Sequence, residues 1–206
     1  MPTIAVIDFE TTGMSPSLGD RATEVAIVLM RDGRVVDRFQ SLMNAGVRIP
    51  VFITQLTGIT NAMVAAAPAA AQVMREASRF VGGAPMVAHN AAFDRKFWVD
   101  ELTRAGQPAP QPFVCAVLLS RRLYPQAPNH KLGSLVDFHH LPRTGAAHRA
   151  LADANMAAAL LGQIQRDLQE RHGIVNPDHA LLMALQRCTR LAVPRFLVQR
   201  RTGKGE

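Results

Sequence analysis

Cysteine, aromatic residues and lysine are all scarce in this chain. Its two cysteines, Cys115 and Cys188, lie 73 positions apart with no Cys-x-x-Cys pair, which leaves no disulfide framework, structural zinc motif or dithiol redox motif. The expectation is a reducing cytoplasm with both thiols free and buried. No uncharged run of 18 apolar residues occurs, and Met1-Pro2-Thr3 leads into a short apolar strand without a basic flank. Neither a membrane span nor a secretory signal is therefore expected. Also missing are a Gly-x-x-x-x-Gly-Lys-[Ser/Thr] phosphate loop, a Gly-x-Ser-x-Gly elbow and a His-Glu-x-x-His pair, and with them three common catalytic designs.

What is present suffices for a folded domain. The 206 residues are 48% hydrophobic and 19% charged, and a core of this size buries about 70% of the surface its unfolded chain would expose. The net charge of +7 is carried by 20 Arg and 3 Lys and is unevenly spread. Six cations between Gln186 and Glu206 face one acid, giving +5, so the other 185 residues hold only +2. Such an Arg-rich appendix suits contacts with phosphate backbones and equally suits a solvated tail.

Three apolar runs, Ile4 to Phe9, Thr23 to Arg31 and Arg34 to Met43, read as strands. Asp32-Gly33 is a hairpin signal between the second and third. Gly13 to Asp20 and Val47 to Thr60 read as loops, the latter on Pro50 and Gly58. Pro68 to Val81, Ala91 to Ala105, Val117 to Tyr124, Leu132 to His139 and Arg149 to His172 read as helices, with short strands at Met86 to His89 and near Phe113. This order predicts a mixed α/β sheet. After Gly173 the character changes: Asn176-Pro177-Asp178 starts a last helix to about Arg190, and Pro194 onward is basic with a frayed 202–206 end. The expected division is a domain over 1–173 and a helix with a basic tail over 174–206. Leu181, Leu182, Leu185 and Leu191 in this last part can dock back on the domain or on a partner helix.

Several acids stand where a core is expected. Ile4-Ala5-Val6-Ile7 is apolar throughout, like a central strand, yet it runs into Asp8 and Glu10. Alternation along a strand sends both carboxylates to one side and Phe9 to the other. Either the strand has reached solvent there, or a cation sits between two acids that would otherwise repel and raise a pKa. Asp94 falls in the first turn of a helix after His89-Asn90-Ala91-Ala92-Phe93, where an acid also serves the helix dipole. His148 precedes Asp153 by five residues, about 140° of ideal helix, so both can face one site only if His148 lies on a mobile loop at or before the first turn. Four carboxylates and one histidine suit a hard cation with a proton acceptor beside it, Mg²⁺ or Mn²⁺ rather than zinc. The chemistry indicated is two-metal hydrolysis of a phosphodiester.

Asp8-Phe9-Glu10-Thr11-Thr12-Gly13, His89-Asn90-Ala91-Ala92-Phe93-Asp94 and His148 with Asp153 stand in the order and spacing of three exonuclease motifs. On these, and on Glu24-Val25-Ala26 and Leu56-Thr57-Gly58-Ile59, the chain over about 3–172 resembles the DEDDh family of 3′→5′ exonucleases, notably its proofreading (epsilon) polymerase-subunit members. The resemblance implies a ribonuclease H-like five-stranded mixed sheet flanked by helices. It also implies two Mg²⁺ or Mn²⁺ ions held by Asp8, Glu10, Asp94 and Asp153, with His148 taking a proton from the attacking water. Thr11, Thr12, Leu56, Thr57, His89, Asn90 and Phe93 would meet the substrate, Leu56 as a wedge against the terminal base. Two positions depart from the pattern: Thr57 stands where histidine is frequent, and Ala116-Val117 where many members have Asp-Thr. The implied substrate is a single-stranded 3′ end, DNA before RNA, with release of nucleoside 5′-monophosphates and a DNA polymerase as a partner. The alternatives are an exoribonuclease of the same fold and a non-catalytic nucleic-acid-binding subunit.

Overall fold

A computed structural model describes residues 2–143, 145 and 148–201; the 202–206 end lies outside the described residues. The chain opens with strands β1 (Ile4–Thr11), β2 (Ala22–Arg31) and β3 (Arg34–Leu42), followed by helices α1 (Val51–Thr57), α2 (Asn61–Ala65) and α3 (Ala70–Val81). Strand β4 (Met86–Ala88), helix α4 (Ala91–Arg104), strand β5 (Phe113–Cys115) and helices α5 (Ala116–Leu123) and α6 (Leu132–Phe138) come next. The long α7 (Ala150–Glu170), then α8 (His179–Leu185) and α9 (Val193–Arg201), complete it. The sheet is five-stranded in the order β3-β2-β1-β4-β5. β1 to β3 pair antiparallel, while β4 and β5 run parallel to β1. At the hairpin Asp32 and Gly33 are both left-handed (φ 52 and 73), the backbone that a two-residue turn matching strand twist requires.

Alternation along β1 divides the core. Ile4 and Val6, with Ala26 and Val28 of β2, face α7 through its buried Ala150, Ala154, Ala157 and Ala158. Ala5, Ile7 and Phe9, with Val25 and Ile27, face α3 and α4, where Phe97 and Trp98 are fully enclosed. The small alanine side chains let α7 lie close to the strands. Leu182, Leu185, Val193 and Leu197 join the α7-side core, so α8 and α9 dock at home.

Four expectations need correction. Val47 to Thr60 is not a loop. Pro50 stands at the N-terminal boundary of α1, where no backbone N–H is needed, and the Gly58 N–H closes the helix on the Thr54 carbonyl at 2.9 Å; the punctuation marked a helix and not its absence. The last helix ends at Leu185 instead of Arg190, and Val193–Arg201 is helical because Pro194 falls in a first turn. Leu191, expected to help docking, is 94% exposed. The cysteines are free but only partly buried: Cys115 ends an edge strand, so one flank stays open.

One buried ion pair ties the start of β2 to α4. Glu101 of α4, 1% exposed, accepts from Arg21 Nε and NH2, both at 2.8 Å, and from the Ala22 N–H at 3.0 Å. Removing one partner of a buried pair leaves an uncompensated charge. Glu101→Ala is expected to lower the urea-derived unfolding free energy by about 3–5 kcal/mol, and Arg21→Met with Glu101→Leu by much less. Equal losses in the single and double variants would contradict this account.

Candidate active site

The side chains of Asp8 and Glu10 continue the Ile4, Val6 series of β1 and so point to the α7 face, at the end of the strand where that series stops being apolar. Asp153 sits in the first turn of α7. Packing of the helix on the strand therefore delivers a third carboxylate to the first two, and ligand oxygens of Asp8, Glu10 and Asp153 lie within 4.8 Å of one another. Asp94 approaches from the opposite face in the first turn of α4, almost fully buried, with its Oδ1 accepting the Phe9 N–H at 3.3 Å. It stands beside the triad as a neighbour, and its charge bears on Asp8.

These groups resist ionising together. Burial first, then Asp94, Asp153, Glu10 and Glu24, hold the Asp8 carboxyl well above its ordinary range. Glu10 is raised from 4.5 to about 8 by burial and by Asp153 and Glu24, against a lowering by Arg149. Burial pushes Asp94 to about 7 and also raises Asp153, a rise that His148 only partly offsets. An all-carboxylate donor set in this state suits a hard divalent cation, which would substitute for the protons.

Glu24, directly across from Glu10 in the β1–β2 pairing, escapes this pattern. Burial pushes its carboxyl up, but hydrogen bonds from Arg149, Gln40 and the Ala150 N–H outweigh that and leave it lowered. Arg149 grips it through Nε at 3.2 Å and NH2 at 2.9 Å. The first residues of α7 are thereby clamped to β2. His148, one residue earlier, is left-handed (φ 59) and exposed, and its N–H donates to Asp153 Oδ2 at 3.3 Å. Such a backbone costs about 1–3 kcal/mol in a non-glycine residue, and it turns His148 into the same cleft as the triad.

That cleft, about 360 Å³, is lined by the triad and His148 on one side and by Phe52, Leu56, Met14 and Phe93 on the other. Leu56 is 52% exposed and Phe52 64% exposed, so both offer apolar surface to an occupant. Phe52 was not anticipated from sequence. Its spacing of four from Leu56 is the signal, legible only once α1 is recognised. Thr11 also lines the cleft, its hydroxyl donating to the Gly13 carbonyl at 2.6 Å. Thr57 reaches the wall with its hydroxyl committed to the Ile53 carbonyl at 2.9 Å and the Ile59 N–H at 3.1 Å. Thr12, His89 and Asn90 lie off this wall: Thr12 Oγ1 accepts the Arg21 N–H at 3.0 Å, His89 Nε2 meets the His130 carbonyl at 3.0 Å, and exposed Asn90 precedes α4. Burial pushes the His89 imidazole down to about 4, so it is neutral at physiological pH.

Residues 5–161 match the RNase_T family, described as exonucleases. The chain is 35% identical over 171 residues to a PolC-type DNA polymerase III of Caldanaerobacter subterraneus subsp. tengcongensis, covering 80% of itself and 12% of that protein. It is 38% identical over 169 residues to the 3′-5′ exonuclease DinG of Bacillus subtilis (strain 168), covering 80% of itself and 18% of that protein. The chain thus spans less than a fifth of the length of either relative. Among solved structures, Exonuclease X in complex with 5′ overhanging duplex DNA superposes with a TM-score of 0.65 at 30% identity, over 79% of this chain and 91% of that one.

Protons and a divalent cation compete for the same oxygens, which fixes a pH dependence. Because the Glu10 pKa is higher folded than unfolded, its contribution to the metal-free fold is full below about pH 4.5 and is lost as pH rises through about 8. Mn²⁺ should therefore raise the melting temperature little at pH 5 and progressively more toward pH 8, and hardly at all in Asp8→Asn. Thermal unfolding with and without EDTA across that range checks it; a pH-independent increment, or one kept by Asp8→Asn, would refute a cation at these carboxylates.

Proposed function

The chain belongs to the RNase_T exonuclease family, of DEDDh type, and from that premise we propose that it is a metal-dependent 3′→5′ exonuclease trimming single-stranded DNA ends to nucleoside 5′-monophosphates. The observation that carries this reading is the gathering of Asp8, Glu10 and Asp153 within 4.8 Å, in one cleft with an exposed histidine and an apolar wall. Asp8, Glu10 and Asp153 would hold the cation, Asp94 completing the site directly or through water. Bound there, two Mg²⁺ or Mn²⁺ ions would supply an acidic water and neutralise charge at the phosphate.

The remaining work falls to the chain itself. His148 would take the proton from the attacking water, a role worth about 10²–10⁴ in rate. Its exposed position at the cleft lets the proton pass on to solvent. Phe52 and Leu56 would receive the terminal base, the ring by stacking and the leucine as a wedge, with Met14 and Phe93 closing that side. Thr11 would fix the terminal nucleotide from the cleft wall, with Thr12, bonded to Arg21 through its N–H and hydroxyl, supporting it from behind, and His89, Asn90 and Thr57 would stand around the adjoining phosphate and base. DNA before RNA is supported by the polymerase relatives and by the DNA-bound relative. A replicative polymerase is then the natural partner. A cytoplasmic setting is supported by two free cysteines, and no helix among the described residues is long and apolar enough to cross a membrane.

Matched 5′-labelled DNA and RNA oligonucleotides, digested with Mg²⁺, Mn²⁺ or EDTA, test the reading. Laddering from the 3′ end that EDTA abolishes and that favours DNA is expected. Cleavage in EDTA, or faster loss of RNA, would overturn the metal or the DNA assignment respectively. His148→Ala should lose about 10²–10⁴ in kcat while keeping the Mn²⁺-dependent rise in melting temperature; near-normal turnover would remove it as the base. Phe52→Ala should weaken single-strand binding by about 1–3 kcal/mol, the range for one lost stacking contact, with kcat changed little. An unchanged KM would exclude the ring from the base site.

A further inference from the structure

The arginines that the sequence concentrates after Gln186 do not form a featureless tail. Helix α9 lies across the far end of α7, with Val193 and Leu197 buried in the same core as Leu168 and Ile174. This docking builds a groove of about 500 Å³ whose floor includes Val193 and Leu197 and whose sides carry Arg122, Arg171, Arg190 and Arg201. The Arg201 stem lies 2.9 Å from where a Cβ on Gly173 would stand, so a side chain at that position would displace it. Residues 186–201 contain five arginines and no acid, and no carboxylate lines the groove. The neighbouring Asp167 is taken by the Tyr124 hydroxyl at 2.7 Å and by Arg171 Nε at 3.0 Å. Glu170, exposed at the end of α7, does not line the groove. Arg190 and Arg201 have no carboxylate partner among the described residues.

From these observations we infer that the groove binds the phosphate backbone of the nucleic acid upstream of the 3′ end in the cleft. The inference rests on the exonuclease reading for the placement of that end. Arginine forks favour phosphate oxygens over a diffuse counterion cloud. Asp153 and Arg171 are 18 residues apart on or beside one helix, which at about 1.5 Å per residue separates cleft and groove by about 27 Å. At about 3.4 Å per phosphate along a B-form strand, that is about eight phosphates. A trinucleotide can occupy the cleft only, whereas a 20-mer can reach both.

The test uses the full chain with Arg190→Gln and Arg201→Gln together, both at exposed positions. Binding is read by fluorescence anisotropy in EDTA, so it does not depend on hydrolysis. Two lost single-strand phosphate contacts should lower the slope of log K against log salt by about 1.4, weakening 20-mer binding roughly 25-fold at 0.1 M salt and hardly at 1 M. Trinucleotide binding and turnover should stay at the unsubstituted level, and Arg190→Lys with Arg201→Lys should keep the salt slope while losing part of the 20-mer affinity. An unchanged 20-mer slope overturns the groove while leaving the exonuclease reading intact. Equal losses on trinucleotide and 20-mer overturn it too, as does poly-glutamate binding with the same dependence on the two arginines, since that would make the surface a docking site for acidic protein. Absence of hydrolysis by the unsubstituted chain, with a 20-mer salt slope that depends on the two arginines, would instead sink the exonuclease reading alone.

Discussion

Hydrophobic packing of α7 on β1 and β2 forces carboxylates together against their own repulsion, and the rest of the site depends on that. Ala150, Ala154, Ala157 and Ala158 present small side chains to the sheet, and Leu160, Leu161, Ile164 and Leu168 extend the buried contact along the helix. Burying an apolar side chain of this size is worth about 1.5–3 kcal/mol, so the helix as a whole easily outweighs the cost of holding Asp153 beside Asp8 and Glu10. The acids respond by shifting their protonation, as Glu10 does in rising to about 8. Carboxyls whose pKa values are raised by burial and mutual repulsion suit a divalent cation, which would take the place of the protons.

The clamp between Glu24 and Arg149 decides which end of α7 is rigid. Glu24 is wholly buried yet fully bonded, accepting from Arg149, Ala150 and Gln40. Without Arg149 it would add a further unpaired charge opposite Glu10. With Arg149 in place, the start of the helix is pinned to the strand, and the strained backbone just before it holds His148 at the mouth of the cleft. The acids thus ride on a strand and a helix that cannot shift separately, while the proton acceptor sits on an exposed turn within reach of solvent.

Much of this was legible in the sequence because it follows from periodicity. The two-residue alternation of β1 places Asp8 and Glu10 on one side and Phe9 on the other, and the angular step from His148 to Asp153 requires the histidine to lie ahead of the helix, where it is found. Asp32-Gly33 likewise dictated its turn. What was not legible depended on context. Pro50 and Gly58 flank a helix of only 7 residues, too short for periodicity to outweigh two loop signals, so Phe52 went unnoticed beside Leu56. Pro194 masked α9 in the same way. The hydroxyls of Thr12 and Thr57 turn inward to local backbone groups, a choice set by neighbours that spacing cannot show.

The two ends of α7 carry opposite charge, and a polyanionic substrate must deal with both. The carboxylates lining the cleft repel a phosphodiester as far as they are ionised, and bound cations would remove that repulsion. The arginines at the far end attract a backbone without sharing a surface with the acids, because α7 itself holds them apart. Their attraction falls off over about 10 Å at 0.1 M salt, less than the length of the helix between them. Each end can therefore act on a different stretch of the same strand, the distal one holding the polymer while the proximal one takes its terminus.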